Sequence, residues 1–149
     1  DYWSRPDHKH GGINLAYDLI SMNMSVNPDF VSVIRLTLSG VASRIGFSLD
    51  DIEDMKVCVS EACTNAITHS KKDEFQVKFY VYPDRLTIEV LDDGIGYDVD
   101  SLASPDLKNP KTSGLGIFII KTLMDEVEIK SCDKCGTIIK MTKLVGVEE

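Results

Sequence analysis

No apolar run in the chain approaches the roughly 20 residues that a membrane span needs, and no charged-then-apolar leader opens it. Basic charge is scarce: 16 Lys and Arg stand against 24 Asp and Glu, for a formal net charge of −8. An acidic chain with no basic run is a poor match for a phosphate backbone, so direct nucleic-acid binding is not expected. Histidine is limited to His8, His10 and His69, and cysteine to Cys58, Cys63, Cys132 and Cys135. Cys132 and Cys135 form a C-x-x-C, but a structural zinc site wants a second ligand pair and none stands at suitable spacing. The pair reads as a reduced turn of a cytoplasmic protein, and the cytoplasm is the expected location. No G-x-x-x-x-G-K-[ST] phosphate loop and no G-x-G-x-x-G dinucleotide fingerprint occurs. Internal repeats and low-complexity tracts are absent too.

What is there is ordinary for a globular chain: 149 residues, 43% hydrophobic and 27% charged. That length suits one domain with a proper core. The expected organisation is a flexible N-terminal arm over 1–14, one domain over 15–144 and a short tail over 145–149. Alternating Leu19, Ile20, Met22, Met24 and Val26 predict a strand over Asp18 to Val26. Asn27 can cap the next segment, with Pro28 at its first helical position. Phe30, Val31, Ile34, Leu38, Val41, Ala42 and Ile45 recur at the helical period, predicting a helix from Asp29 to Ile45 that stops at Gly46. Ser48 with Asp51 resembles a capping box that opens a second helix over Leu49 to Ser70. Its spacing of five places Cys58 and Cys63 on different parts of that helix, where each behaves as a small hydrophobe.

Two alternating runs follow, Phe75 to Val81 and Leu86 to Val90, joined by Pro83-Asp84-Arg85 as an antiparallel hairpin. A nearly apolar helix is expected from Gly114 to Met124, then strands near Val127–Ser131 and Thr137–Thr142. The pattern indicates an α+β fold of two layers: a mixed, mainly antiparallel sheet covered by helices on one face.

Three places carry chemistry. Glu61 and Asn65 are four apart on the second helix, so both project from one face. Their plainest reading is a solvated stripe. Their chemical reading is a carboxylate that accepts a proton and an amide oxygen that holds Mg²⁺, which prefers oxygen ligands shared with phosphates. Asp92-Asp93-Gly94-Ile95-Gly96 ends a strand; it reads either as a turn or as a carboxylate beside a backbone that admits a flat ligand. Ser113-Gly114-Leu115-Gly116 opens a helix, where unpaired N–H groups make an anion site.

Together these resemble more than they do singly. Glu-x-x-x-Asn on a helix, Asp-x-Gly-x-Gly after a hairpin and Gly-x-Gly before a helix resemble the GHKL, or Bergerat-fold, ATPase superfamily. Within it, Val59 to His69 is similar to the N box of the anti-sigma-factor serine kinases of the RsbW and SpoIIAB type. Ile34 to Gly40 and Leu123 to Val127 strengthen the likeness to the RsbW type, which extends over about Ile20 to Lys143.

The resemblance implies a Bergerat-type fold and a role for each matching residue. Glu61 would be the general base towards a partner serine, and Asn65 a nucleotide-site ligand to Mg²⁺. Asp92 would bond the adenine amine, with Gly94 and Gly96 leaving room for the ring and Thr137, after Gly136, supporting the base. Gly114 and Gly116 would offer backbone N–H groups to the phosphates. The loop from about Tyr97 to Ser113 would be a lid over ATP or ADP, with Lys111 where the family usually has an arginine. Lysine supplies charge there but no bidentate fork. Arg35, mid-helix among apolar positions, would touch a partner protein. The implied partners are a sigma factor, held inactive by a homodimer, and a STAS-domain anti-anti-sigma factor that receives the phosphoryl group. The rival reading keeps the fold as a nucleotide-dependent binding switch without kinase turnover, but such a switch would be expected to lack Glu61 or Asn65. The expected tyrosine after His69 is absent.

Overall fold

The structure is a computed structural model, and it describes residues 9–10, 13–14, 16–93, 112–132 and 136–146. Within the expected arm, β1 (Lys9–His10) and β2 (Ile13–Asn14) pair antiparallel with one another. Strand β3 spans Asp18–Ser25. Asn27 then caps a single 3-10 turn, Pro28–Phe30, its side chain accepting the Asp29 N–H at 3.0 Å. Helix α1 follows over Val31–Ile45 and stops at Gly46, whose φ of 108° is cheap only for glycine. The Ser48 hydroxyl accepts the Asp51 N–H at 3.2 Å and starts helix α2, Leu49–His69. Strands β4 (Glu74–Val81) and β5 (Arg85–Asp92) form the expected hairpin, closed by the Tyr82 N–H on the Arg85 carbonyl at 3.1 Å. Helix α3 covers Thr112–Leu123, and β6 (Glu126–Cys132) and β7 (Gly136–Leu144) complete the chain.

Strands β3 to β7 make one five-stranded sheet in the order β3-β4-β5-β7-β6. Every pairing in it is antiparallel, so the expectation of a mixed sheet is corrected. The link from β3 to β4 and the two hairpins join antiparallel neighbours, whereas the chain from β5 through α3 crosses to β6, which runs parallel to β5 one strand away, and β7 then fills the gap antiparallel to both.

The register puts Phe75, Val77 and Phe79 of β4, Leu86, Ile88 and Val90 of β5, and Ile139 and Met141 of β7 on one face. All are buried against Ile34 and Leu38 of α1, Met55, Val59 and Ala62 of α2, and Ile117 and Ile120 of α3. Helix α2 is central: it touches α1, α3, β5 and β7. That explains why Cys58 and Cys63 are both fully buried although they point to different parts of its surface. Burial pushes both thiols up to about 12.

The opposite face is closed at its centre as well. Tyr80 is fully buried there and donates to Glu89 at 3.0 Å, and Thr87 and Thr142 share a hydrogen bond of 2.8 Å. Burial, then Glu89, push the Tyr80 hydroxyl well above the usual phenol range. The Tyr17 ring packs 5.4 Å from Tyr80 and 5.3 Å from Tyr82, and the Arg85 guanidinium lies 4.3 Å over Tyr82. Among the described residues, no helix is long and apolar enough to cross a membrane.

Candidate functional site

Glu61 and Asn65 stand one turn apart on α2, on the part of the helix that meets α3. Asn65 is only 7% exposed and Glu61 is half-buried, so they are not the solvated stripe that the sequence also allowed. Gly116 of α3 is buried against Glu61: a Cβ built on it would come within 2.7 Å of Glu61 Oε2. The Glu61 carboxylate therefore lies directly on the α3 backbone.

Helix α3 begins at Thr112, two residues before the expected start at Gly114. Gly114 is thus its third residue, inside the first turn where helix N–H groups have no partner within the helix. Gly116 is its fifth, and its N–H belongs to the helix's own i→i−4 ladder. What Gly116 supplies is the absence of a side chain beside Glu61.

The second half of the site is at the end of the sheet. Asp92 of β5 and Thr137 of β7 are direct partners in the ladder, and Thr137 is in turn opposite Ser131 of β6. The three share one rung on the helix-bearing face. Asp92 is 9% and Thr137 2% exposed. The Thr137 and Ser131 hydroxyls are 3.0 Å apart and hydrogen-bonded. Gly136 has φ 92°, and a Cβ there would overlap the Asp92 carbonyl oxygen. A cleft of about 580 Å³ opens here, lined by Asp92, Ser131, Gly136, Thr137, Phe75 and Lys72 among others. Lys72 pairs with Asp93 at 3.1 Å, but both are well exposed, so the pair adds little stability.

Arg35 is half-buried on α1, with Nη1 3.4 Å from the Ser60 hydroxyl, which itself donates to the Lys56 carbonyl at 2.7 Å. Arg35, Lys56, Ser60 and Glu61 line one hollow of about 380 Å³. The residue expected to meet a partner and the residue expected to take a proton thus open onto the same space. The exposed apolar side chains Val33, Leu36 and Val57 stand on the same two helices.

Gly94, Gly96 and Lys111 lie outside the described residues, as does most of the expected lid. Ser131 and Lys72 were missed from the sequence. Ser131 had one available signal: it mirrors Thr137 across a short turn, which makes the two cross-strand partners.

The donor set fits a Mg-nucleotide. Among the described residues no three His, Cys, Asp or Glu side chains gather into a metal cage. Mg²⁺ rarely needs one, because it takes one or two protein oxygens and fills the rest with phosphate and water. The Asn65 amide and the Glu61 carboxylate, beside the first turn of α3, supply such oxygens next to an anion-favouring helix end.

Known proteins resemble this chain in sequence and in fold. Residues 24–143 match the histidine kinase-like ATPase domain. The chain is 40% identical to the serine-protein kinase RsbW of Bacillus velezensis, covering 91% of each chain. It is 41% identical to RsbW of Bacillus subtilis over 88% of each, and 43% identical to RsbW of Bacillus licheniformis over 89% of each. Among solved structures, the RsbU and RsbW domains of a Mycobacterium tuberculosis protein superpose with a TM-score of 0.66 at 18% identity, over 88% of this chain and 33% of that one. The histidine kinase domain of an Erythrobacter litoralis blue-light activated kinase superposes at 0.52 with 19% identity, over 82% of this chain and 62% of that one. Both share the fold. From the domain match and the extent of these identities, the chain belongs to the histidine kinase-like ATPase family and, within it, to the RsbW serine-protein kinases.

Proposed function

We propose that this serine-protein kinase is an anti-sigma factor that holds a sigma factor inactive as a homodimer and uses Mg-ATP to phosphorylate a serine of a STAS-domain anti-anti-sigma factor. The observation that carries the reading is the position of Glu61. Its carboxylate rests on the first turns of α3, and it also lines the hollow that holds Arg35. One face of the group is turned to where a nucleotide's phosphates would lie, the other to where a protein partner would enter.

Phosphoryl transfer needs mainly positioning and charge neutralisation. Asp92 and Thr137 would hold the base, and the first turn of α3, with Gly114, would hold the phosphates. Mg²⁺, when bound through Asn65, would neutralise phosphate charge. Glu61 would take the proton of the acceptor serine as its oxygen bonds the γ-phosphorus and the bond to the ADP oxygen breaks. Arg35 would bind the partner through forked hydrogen bonds to acidic groups.

The test is a mass spectrum of a STAS-domain antagonist after incubation with the protein and Mg-ATP. One added phosphoryl group on serine, absent with Glu61→Ala, is the expected result. An unmodified antagonist in the presence of bound ATP would overturn the acceptor assignment.

A further inference from the structure

We propose that Gly116 is a positioning residue for phosphoryl transfer: its missing side chain is the space in which the Glu61 carboxylate is held. The proposal rests on the reading of Glu61 as the general base.

Glycine is a poor choice for the fifth residue of a helix, since its backbone loses more freedom there than alanine's does. Something other than helix formation must favour it at this point. Positive φ does not, because α3 is regular at this residue. Amide donation does not either, because the Gly116 N–H is committed to the helix ladder. What remains is space. The nearest neighbours of a built Cβ all belong to Glu61: Oε2 at 2.7 Å, Cβ at 3.5 Å and Cδ at 3.6 Å. Gly40, in the middle of α1, is the contrast, with nothing within 4 Å of its built Cβ.

The identity of the close atom decides what a methyl group would do. Only the carboxylate oxygen is nearer than van der Waals contact, and it is the free end of a flexible side chain. A methyl at 116 would be accommodated by turning that carboxylate away, not by moving a helix. The fold and the phosphate-facing first turn would stay, and the carboxylate would leave its place. A misplacement of that kind falls on the chemical step and not on ground-state binding.

The experiment is a double-mutant cycle on the full chain with Gly116→Ala and Glu61→Asp. It measures affinity for a fluorescent ATP analogue, melting temperature, and single-turnover transfer from Mg-ATP to a STAS-domain acceptor. Gly116→Ala is expected to slow transfer by about tenfold or more while the dissociation constant stays within about threefold. In the Glu61→Asp background, where the carboxylate is one methylene shorter and clears the methyl, the same change is expected to alter the rate by less than about threefold. Equal losses in both backgrounds, or a dissociation constant that rises as far as the rate falls, would overturn the proposal in favour of a phosphate-cradle role. Normal transfer by Glu61→Ala would remove the base itself, and the proposal with it, whatever the cycle shows.

Discussion

Asp92 and Thr137 face one another across a single rung of the β5–β7 ladder, both nearly buried, with the Thr137 hydroxyl tied to Ser131 at 3.0 Å. Forty-four residues of chain, including a whole helix, separate the two in sequence, and the sheet brings them together at its end. A carboxylate and an anchored hydroxyl on one face form a fixed pair of polar groups, which in the proposed function hold the flat base. Asp92→Asn replaces half of the carboxylate's acceptors by N–H donors without changing its shape. The expected result in calorimetry is a loss of ATP affinity of about tenfold or more, in keeping with about 1.5–3 kcal/mol for a hydrogen bond to a charged group. Unchanged affinity would move the base to another part of the cleft.

Gly136 gives a steric prediction in which backbone meets backbone. Its φ of 92° is strained for any L side chain, and a Cβ would overlap the Asp92 carbonyl oxygen. Nothing flexible can yield there. Gly136→Ala is expected to lower stability by about 1–3 kcal/mol in urea unfolding, and to weaken ATP binding because the strand end carrying Asp92 and Thr137 must shift. Gly40→Ala, with open space around it, should instead stabilise the protein by about 0.5–1 kcal/mol.

In the proposed roles, Glu61 and Asn65 separate chemistry from binding on adjacent turns of α2. Asn65→Ala is expected to abolish Mg-ATP binding and leave the circular dichroism spectrum intact. Glu61→Ala should still bind nucleotide and lose phosphoryl transfer. If Glu61→Ala transfers normally, the base lies elsewhere.

Arg35 shares a hollow with Glu61 and is not part of the lining of the cleft at Asp92 and Thr137. Arg35→Ala should therefore weaken binding of both protein partners, by about 1–2 kcal/mol or more if it is an anchoring residue, with ATP affinity unchanged. Surface plasmon resonance against each partner, beside an ATP titration, checks the split.

Much of this was legible because its causes are local. Asn27 with Pro28, Gly46, and Ser48 with Asp51 each act within one turn, and each ends or begins a helix where the pattern placed it. The start of α3 was read two residues late, at Gly114, where the apolar pattern begins. Helix α3 packs on α2, and tertiary burial outweighs a weak helix former in a first turn. The closed outer face of the sheet was also hidden. Alternation along β4 marks Lys78 and Tyr80 as the polar side, yet both are buried. The cover at Tyr80 includes Tyr17, which arrives from beyond β3 and is invisible to any pattern within β4. The candidate site divides the same way. Its motifs were readable one by one, but the contact of Gly116 with Glu61 and the rung of Ser131, Thr137 and Asp92 need the packing and the register.

Cys58 and Cys63 carry a pH prediction whose sign follows from burial. Both thiols are raised from 9.0 to about 12, Cys63 by desolvation and Cys58 by desolvation and then Asp54. In the unfolded chain they ionise near the ordinary value, so above it the unfolded state sheds protons that the folded state keeps. Their contribution to stability is thus whole below about pH 9 and is lost as pH rises towards about 12. Two measurements follow. In native protein at about pH 8, neither thiol should react with iodoacetamide, while in urea both should, since only the thiolate attacks. Unfolding free energies of the parent and of Cys63→Ala, compared under reducing conditions from about pH 8 to about pH 10, should converge as pH rises, because only the parent loses that thiol's term. A constant gap would mean that Cys63 ionises equally in both states and would overturn the burial argument.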